Sequence, residues 1–228
     1  MAVTSTLSYV VLKTRKQPGI GGKWKSPDRI HAEELSINHF CDDSTFKPQT
    51  DVKLLYDDKQ LYGVFRVRDQ YVLCRETEYQ ADVTRDTCVA AYFQPDPEKG
   101  YLALEMNCCG ALRARYYEEP SDAIGALTGK IIHLPWRDGY KIRVYTSHFG
   151  TVESEIAEPL TWYLEFVIPF SVFETYTGIV KPLRQHPWRV NFYKCASSCS
   201  HPHRASWAPL ESGVSFHQPD SFAPLYFS

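Results

Sequence analysis

Apolar and polar residues alternate with a period of two through much of this chain, and a 3.6-residue period is nearly absent. Val52 to Tyr56 and Leu61 to Val67 flank Asp57-Asp58-Lys59-Gln60, which predicts a β-hairpin with a short polar loop. In its second strand Leu61, Gly63, Phe65 and Val67 share one face, and Tyr62, Val64, Arg66 and Arg68 share the other. Val89 to Phe93 is a strand stopped by Gln94-Pro95-Asp96-Pro97, and Tyr101 to Asn107 and Ala111 to Tyr116 flank a turn at Cys108-Cys109-Gly110. Leu102, Leu104 and Met106 face inward there, with Ala103, Glu105 and Asn107 outward. Further strands are expected at Lys141 to Tyr145, Thr151 to Glu155, Trp162 to Ile168, Trp188 to Lys194 and Phe222 to Phe227. Trp162, Leu164, Phe166 and Ile168 form a buried side, and Pro169 opens a short helical or irregular piece through Phe173. Glu118 to Lys130 and Cys195 to Pro219 read as loops. Short strands separated by turn signals predict an all-β fold: a two-sheet antiparallel β-sandwich, immunoglobulin-like or jelly-roll-like.

The length, 228 residues, suits one such domain. Lys and Arg total 25 against 27 Asp and Glu, a net charge of −2, which excludes the basic excess that a nucleic-acid partner demands. The most apolar stretch, Phe166 to Phe173, is interrupted by Pro169 and Ser171 and is too short to span a membrane. The first residues lack the basic leader and apolar run of a signal peptide, and seven cysteines, an odd number, argue against a disulfide-stapled domain; a reducing compartment is the simplest expectation. Aromatic residues are abundant, with 15 Tyr, 12 Phe and 5 Trp, and provide flat faces that can stack on a ligand.

Several segments taken together resemble one family: Thr50 to Asp69, Arg85 to Pro97, Tyr101 to Leu112, Trp162 to Phe173, Trp188 to Cys195, Ser206 to Leu210 and Phe216 to Phe227, preceded by the Trp24-containing stretch Gly22 to Leu35. Their order and spacing are similar to the carbohydrate-binding module family 9-like domains of the DOMON superfamily. The resemblance implies a β-sandwich over residues 22–228 with a 1–21 extension, and a saccharide ligand. In members attached to xylanases, two tryptophans sandwich a terminal sugar. The first precedes the Asp matching Asp86, where this chain has Ala81-Asp82-Val83-Thr84-Arg85 and no aromatic; the second corresponds to Phe216. An acidic position of the family falls at Ala90, and a basic one near Glu105. Calcium is implied as a structural ion of the family, with Asp42, Asp43, Asp57, Asp58, Asp82, Asp86 and Asp96 as oxygen donors. Haem, the superfamily's other ligand, is disfavoured, because Met106 reads as core filling.

Sugar binding needs aromatic faces for the C–H side of a pyranose and convergent polar groups for its hydroxyls. Trp207, Phe216, His217 and Gln218 lie together in the late loop, and Trp136 with Arg137 in another loop could flank a groove. Trp207 and Phe216 are equally read as packing that loop onto the sandwich. Glu105, Asn107, Arg113, Arg189 and Asn191 take outward strand positions, either as a ligand face or as an ion-pair network beneath a loop. The expected site is Trp207 and Phe216 stacking, with Arg85, Glu105 and His217 on hydroxyls. Cys195, Cys199, His201 and His203 have ligand types that suit zinc, although all four come from one loop; the other reading is a polar loop with incidental thiols. No cofactor is expected, with calcium or zinc possible. No phosphate loop, nucleophile elbow, zinc-protease or dinucleotide signature occurs, so the expected function is a non-catalytic carbohydrate-binding module. The alternative is a structural or protein-interaction sandwich that has lost the sugar site.

Overall fold

The computed structural model describes residues 7–21, 24–41, 43–118, 129–148, 150–179, 181–210 and 215–228. In chain order the strands are β1 (Tyr9–Lys13), β2 (Leu35–Ile37), β3 (His39–Phe40), β4 (Gln49–Tyr56), β5 (Gln60–Asp69), β6 (Val72–Cys74), β7 (Cys88–Gln94) and β8 (Tyr101–Asn107). They continue as β9 (Leu112–Tyr117), β10 (Ile131–His133), β11 (Arg143–Thr146), β12 (Val152–Ile156), β13 (Leu160–Pro169), β14 (Trp188–Ala196), β15 (His203–Ser206) and β16 (Ala223–Phe227). Two short helices, α1 (Trp136–Gly139) and α2 (Phe170–Thr177), complete the fold.

Two sheets face each other across a common core, as the alternation predicts. One runs β10-β9-β8-β7-β14-β16 and the other β4-β5-β13-β11. Their inner faces carry the apolar half of each period: Phe65 of β5 meets Phe192 of β14 edge-on at 6.2 Å between ring centroids, and Phe166 of β13 meets Phe93 of β7 at 6.4 Å. Trp162, Leu164, Phe166 and Ile168 are all buried on the expected side. Gly63 pairs with Phe166, and a Cβ at residue 63 would lie 2.0 Å from the Phe166 ring. Gly63→Ala is therefore expected to cost about 1–3 kcal/mol through overpacking, as read from the urea unfolding midpoint at unchanged slope.

The two sheets are joined by a strand that the sequence pattern did not reveal. β1 pairs in parallel with β16 through Tyr9 to Val11, and in parallel with β4 through Leu12 and Lys13. Every other strand pairing among the described residues is antiparallel. Within the segment expected as an N-terminal extension, Tyr9 and Val11 are fully buried, and the Tyr9 hydroxyl donates to the Glu33 carbonyl and accepts from the Leu54 amide. The partner of this segment is the far end of the chain, a pairing that local periodicity cannot show. The expected loop from Cys195 to Pro219 likewise contains β15, antiparallel to β14. The expected Glu118 to Lys130 loop lies mostly outside the described residues. β6 and β12 form a separate two-stranded sheet, and a Cys74–Cys109 disulfide ties β6 to the β8–β9 turn, contrary to the expectation of a chain without such a staple. Among the described residues, no helix is long and apolar enough to cross a membrane.

Candidate functional site

The outer face of the β14-β7-β8-β9 sheet is buried as well. Alternation puts Tyr92 of β7, Tyr101 and Glu105 of β8, Arg113, Arg115 and Tyr117 of β9, and Tyr193 of β14 on this side. The loop bearing Phe216 and His217 lies over them. Phe216 stacks on Tyr193 with centroids 4.3 Å apart, and the Tyr193 hydroxyl donates to the Phe216 carbonyl. The His217 ring lies 4.4 Å from Tyr117 and 5.1 Å from Tyr92, with Nδ1 2.9 Å from the Tyr101 hydroxyl and Nε2 3.3 Å from that of Tyr117. Burial, with some help from the Arg115 and Arg113 charges against the opposing pull of Glu105, depresses its pKa to about 4.

Glu105 is the polar centre of this face. It pairs across the strands with Ala90 and Arg113, and the small Ala90 leaves it room. Oε1 accepts from the Tyr92 hydroxyl at 2.8 Å; Oε2 accepts from Arg113 Nε at 2.5 Å and Arg115 Nη2 at 2.9 Å. Burial alone would raise the Glu105 pKa, but the guanidiniums and the tyrosine hydroxyl outweigh it and hold the carboxyl below its usual value. Arg113 also reaches Asp82 at the surface, where the Asp82 side chain is half exposed. Arg115 lies over the Tyr117 ring, and its Nε is buried without a hydrogen-bond partner among the described residues.

Of the expected site residues, Glu105, Phe216 and His217 meet here. Trp207 does not: its amide bonds to the Phe192 carbonyl, and its ring enters the core 5.9 Å from Phe192, so it packs the sandwich. Arg85 sits on the 3₁₀ turn Val83–Arg85 and points to Glu76, 4.0 Å away, rather than to Glu105. The sequence reading also missed Tyr92, Tyr101, Arg115, Tyr117 and Tyr193. The signal for them was the alternation that placed Glu105 and Arg113 outward, extended to all four strands.

The expected zinc ligands separate. Cys195 pairs with Cys88 on the neighbouring strand, and Cys199 is buried beside Leu73 and Ala196. The His201 ring stacks on Tyr71 at 3.7 Å. His203 Nε2 accepts from the buried Lys194 ammonium at 2.8 Å, and that ammonium lies 3.3 Å from Asp69. The four residues make no cluster because β15 pairs back on β14 and turns their side chains into different layers. Among the described residues, Cys74, Cys108 and Cys109 lie close together, but two of these sulfurs are committed to the Cys74–Cys109 disulfide. The aspartates expected for calcium are also dispersed: Asp57 accepts from the Lys59 and Gln60 amides, Asp58 pairs with Lys13, and Asp86 accepts from the Glu76 amide and Asn107. Asp43 pairs with Arg204, Asp96 accepts from the Glu98 amide, and Asp42 lies outside the described residues.

The same architecture occurs in known proteins. A proposed carbohydrate-binding protein from Bacteroides uniformis ATCC 8492 superposes with a TM-score of 0.84 at 23% identity, covering 98% of this chain and 100% of its own. A carbohydrate-binding module family 9 from Caldicellulosiruptor kristjanssonii in complex with glucose gives a TM-score of 0.63 at 14% identity, covering 96% of this chain and 95% of that one. Its complex with cellotriose gives 0.64 at 13% identity, covering 97% and 94%. At these identities the likeness speaks for the fold. No curated protein sequence matches the chain. The model of the family described as carbohydrate-binding family 9 matches residues 28–227, which is nearly the whole sandwich. On that match the chain belongs to carbohydrate-binding family 9 and is a carbohydrate-binding module.

Proposed function

We propose that this module holds a saccharide at the rim of the outer sheet face, against Phe216 and above Asp82, Arg113 and Arg115, and that it acts by binding alone. The observation that carries this reading is the joining of an aromatic cluster to a carboxylate–guanidinium group that still has an unpartnered N–H, on Arg115. Aromatic faces cover the C–H side of a sugar ring, and charged groups make bidentate contacts to hydroxyls. Glu105 is committed to two arginines and a tyrosine and is held ionised, which suits an acceptor and not a general acid. The solved complexes of family 9 modules with glucose and cellotriose support a saccharide of that kind as ligand.

The test is calorimetric titration with mono- and oligosaccharides. Phe216→Ala is expected to weaken binding about tenfold, from the loss of one stacking partner. An unchanged affinity would remove Phe216 from the site. One observation favours a second reading, an interaction sandwich closed by its own loop: the His217 ring already occupies the middle of the tyrosine cluster. In that case His217→Ala lowers stability and the protein binds no sugar. If instead the loop yields to the ligand, the same variant binds sugar more tightly than the wild type.

A further inference from the structure

A large cleft lies elsewhere, beside the edge strand β11. It encloses about 810 Å³, within the range of roughly 300–1,000 Å³ typical of ligand sites. Tyr79, Trp136, Tyr140, Lys141 and Arg143 line it. Trp136 is 63% exposed and Tyr140 73% exposed, although both are large rings that folding ordinarily removes from water.

The fold clamps these rings outward. Trp136 opens the single turn of α1 and Tyr140 directly follows it, with centroids 5.9 Å apart and planes inclined by 38°. Between them Asp138 points inward, 3% exposed, and accepts from Lys141 Nζ at 2.8 Å and the Tyr176 hydroxyl at 2.9 Å. Behind them the Tyr79 hydroxyl donates to the Leu134 carbonyl at 2.7 Å, and its ring stands edge-on to Trp136 at 5.2 Å. Gly139 makes this approach feasible, since a Cβ there would fall 2.0 Å from the Tyr79 oxygen. A buried aspartate, a tyrosine brace and a glycine thus serve to hold two inclined rings in solvent, beside the long donor side chains of Lys141 and Arg143.

We propose that this cleft is a second glycan site, one that takes consecutive pyranose units of an oligosaccharide on the Trp136 and Tyr140 rings, with Lys141 and Arg143 as hydroxyl donors. This rests on the saccharide reading of the module. The occupant follows from the chemistry: two adjacent, inclined aromatic faces match two successive sugar rings of a twisted chain, the apolar floor takes their C–H faces, and Lys141 and Arg143 at the rim offer donors to hydroxyls. The preorganised platform keeps the ordering cost of binding low.

The experiment is a glycan array spanning mono- to hexasaccharides, followed by calorimetry with the tightest oligosaccharide and its component monosaccharide. Trp136→Ala and Tyr140→Ala alter exposed side chains, and circular dichroism with thermal melts checks that both fold. The expected result is a loss of about tenfold in oligosaccharide affinity for each variant, with monosaccharide affinity unchanged. Phe216→Ala is expected to weaken the monosaccharide and to leave the oligosaccharide contact with the α1 rings in place. If the wild type binds sugars and both α1 variants bind the oligosaccharide as well as it does, the second site is overturned while the first stands. If the wild type binds nothing on the array, both readings fall together.

Discussion

Glu105→Gln is expected to destabilise the protein by about 3–5 kcal/mol, because it leaves the Arg113 and Arg115 guanidiniums without their buried counter-charge. Glu105 is only 2% exposed, and the arginine side chains are 13% and 15% exposed, so water replaces little of what is lost. For a domain of this size the melting temperature should fall on the order of 10 °C. Guanidinium unfolding of the purified variant measures the change directly. A second variant separates charge from shape. Adding Arg113→Met to Glu105→Gln removes one of the stranded cations and should restore part of the loss; a double variant no more stable than the single one would mean that the cluster is held by packing. Sugar affinity should be lost in the single variant, since both guanidiniums lose the anchor that orients them at the rim.

The second large effect concerns pH. His217 has an ordinary value of 6.5 and a folded value of about 4. Because the folded value is the lower one, its share of stability is present above pH 6.5 and is lost as pH falls toward 4, where the unfolded chain takes a proton that the folded one refuses. The shift corresponds to about 3 kcal/mol. His203 is depressed in the same direction to about 4, by burial and by the Lys194 charge beside it, and adds to the fall. Glu105, held below its ordinary 4.5, contributes in the same sense below that pH. Stability measured by urea unfolding should therefore decline steadily from pH 6.5 to 4. His217→Phe keeps a ring against the tyrosines and removes one proton, so its profile should be flatter by the His217 share. A wild-type profile that is flat over this interval would show that the loop carrying His217 does not stay closed on the sheet.

Much of the fold was legible along the chain, and the reason is local. The period-two pattern in Leu61 to Val67, Tyr101 to Asn107 and Trp162 to Ile168 states which side chains go inward, since neighbouring residues on a strand must face opposite ways. That pattern settled the sandwich, the core face and the outward placing of Glu105 and Arg113. The resemblance between family 9 modules and the ordered segments from Thr50 to Phe227 pointed to the family, and the family match agrees with it.

What lies outside local periodicity was decided by tertiary pairing. β1 could not be read, because its partners are β16 at the other end of the chain and β4, and nothing in Tyr9 to Lys13 specifies either. Trp207 and Phe216 looked equivalent as loop aromatics, yet the β14–β15 pairing turns Trp207 into the core and leaves Phe216 on the outer face. The cysteine and histidine cluster looked like a zinc set because its members are close in sequence, and the same pairing sends them to different layers. By itself, then, the sequence determined the fold class, the faces of its long strands and the family to which the chain belongs. Which aromatics lie on the outer face, and which pack the core, was decided only when distant strands came together, because a side chain's surroundings depend on neighbours that its own segment does not encode.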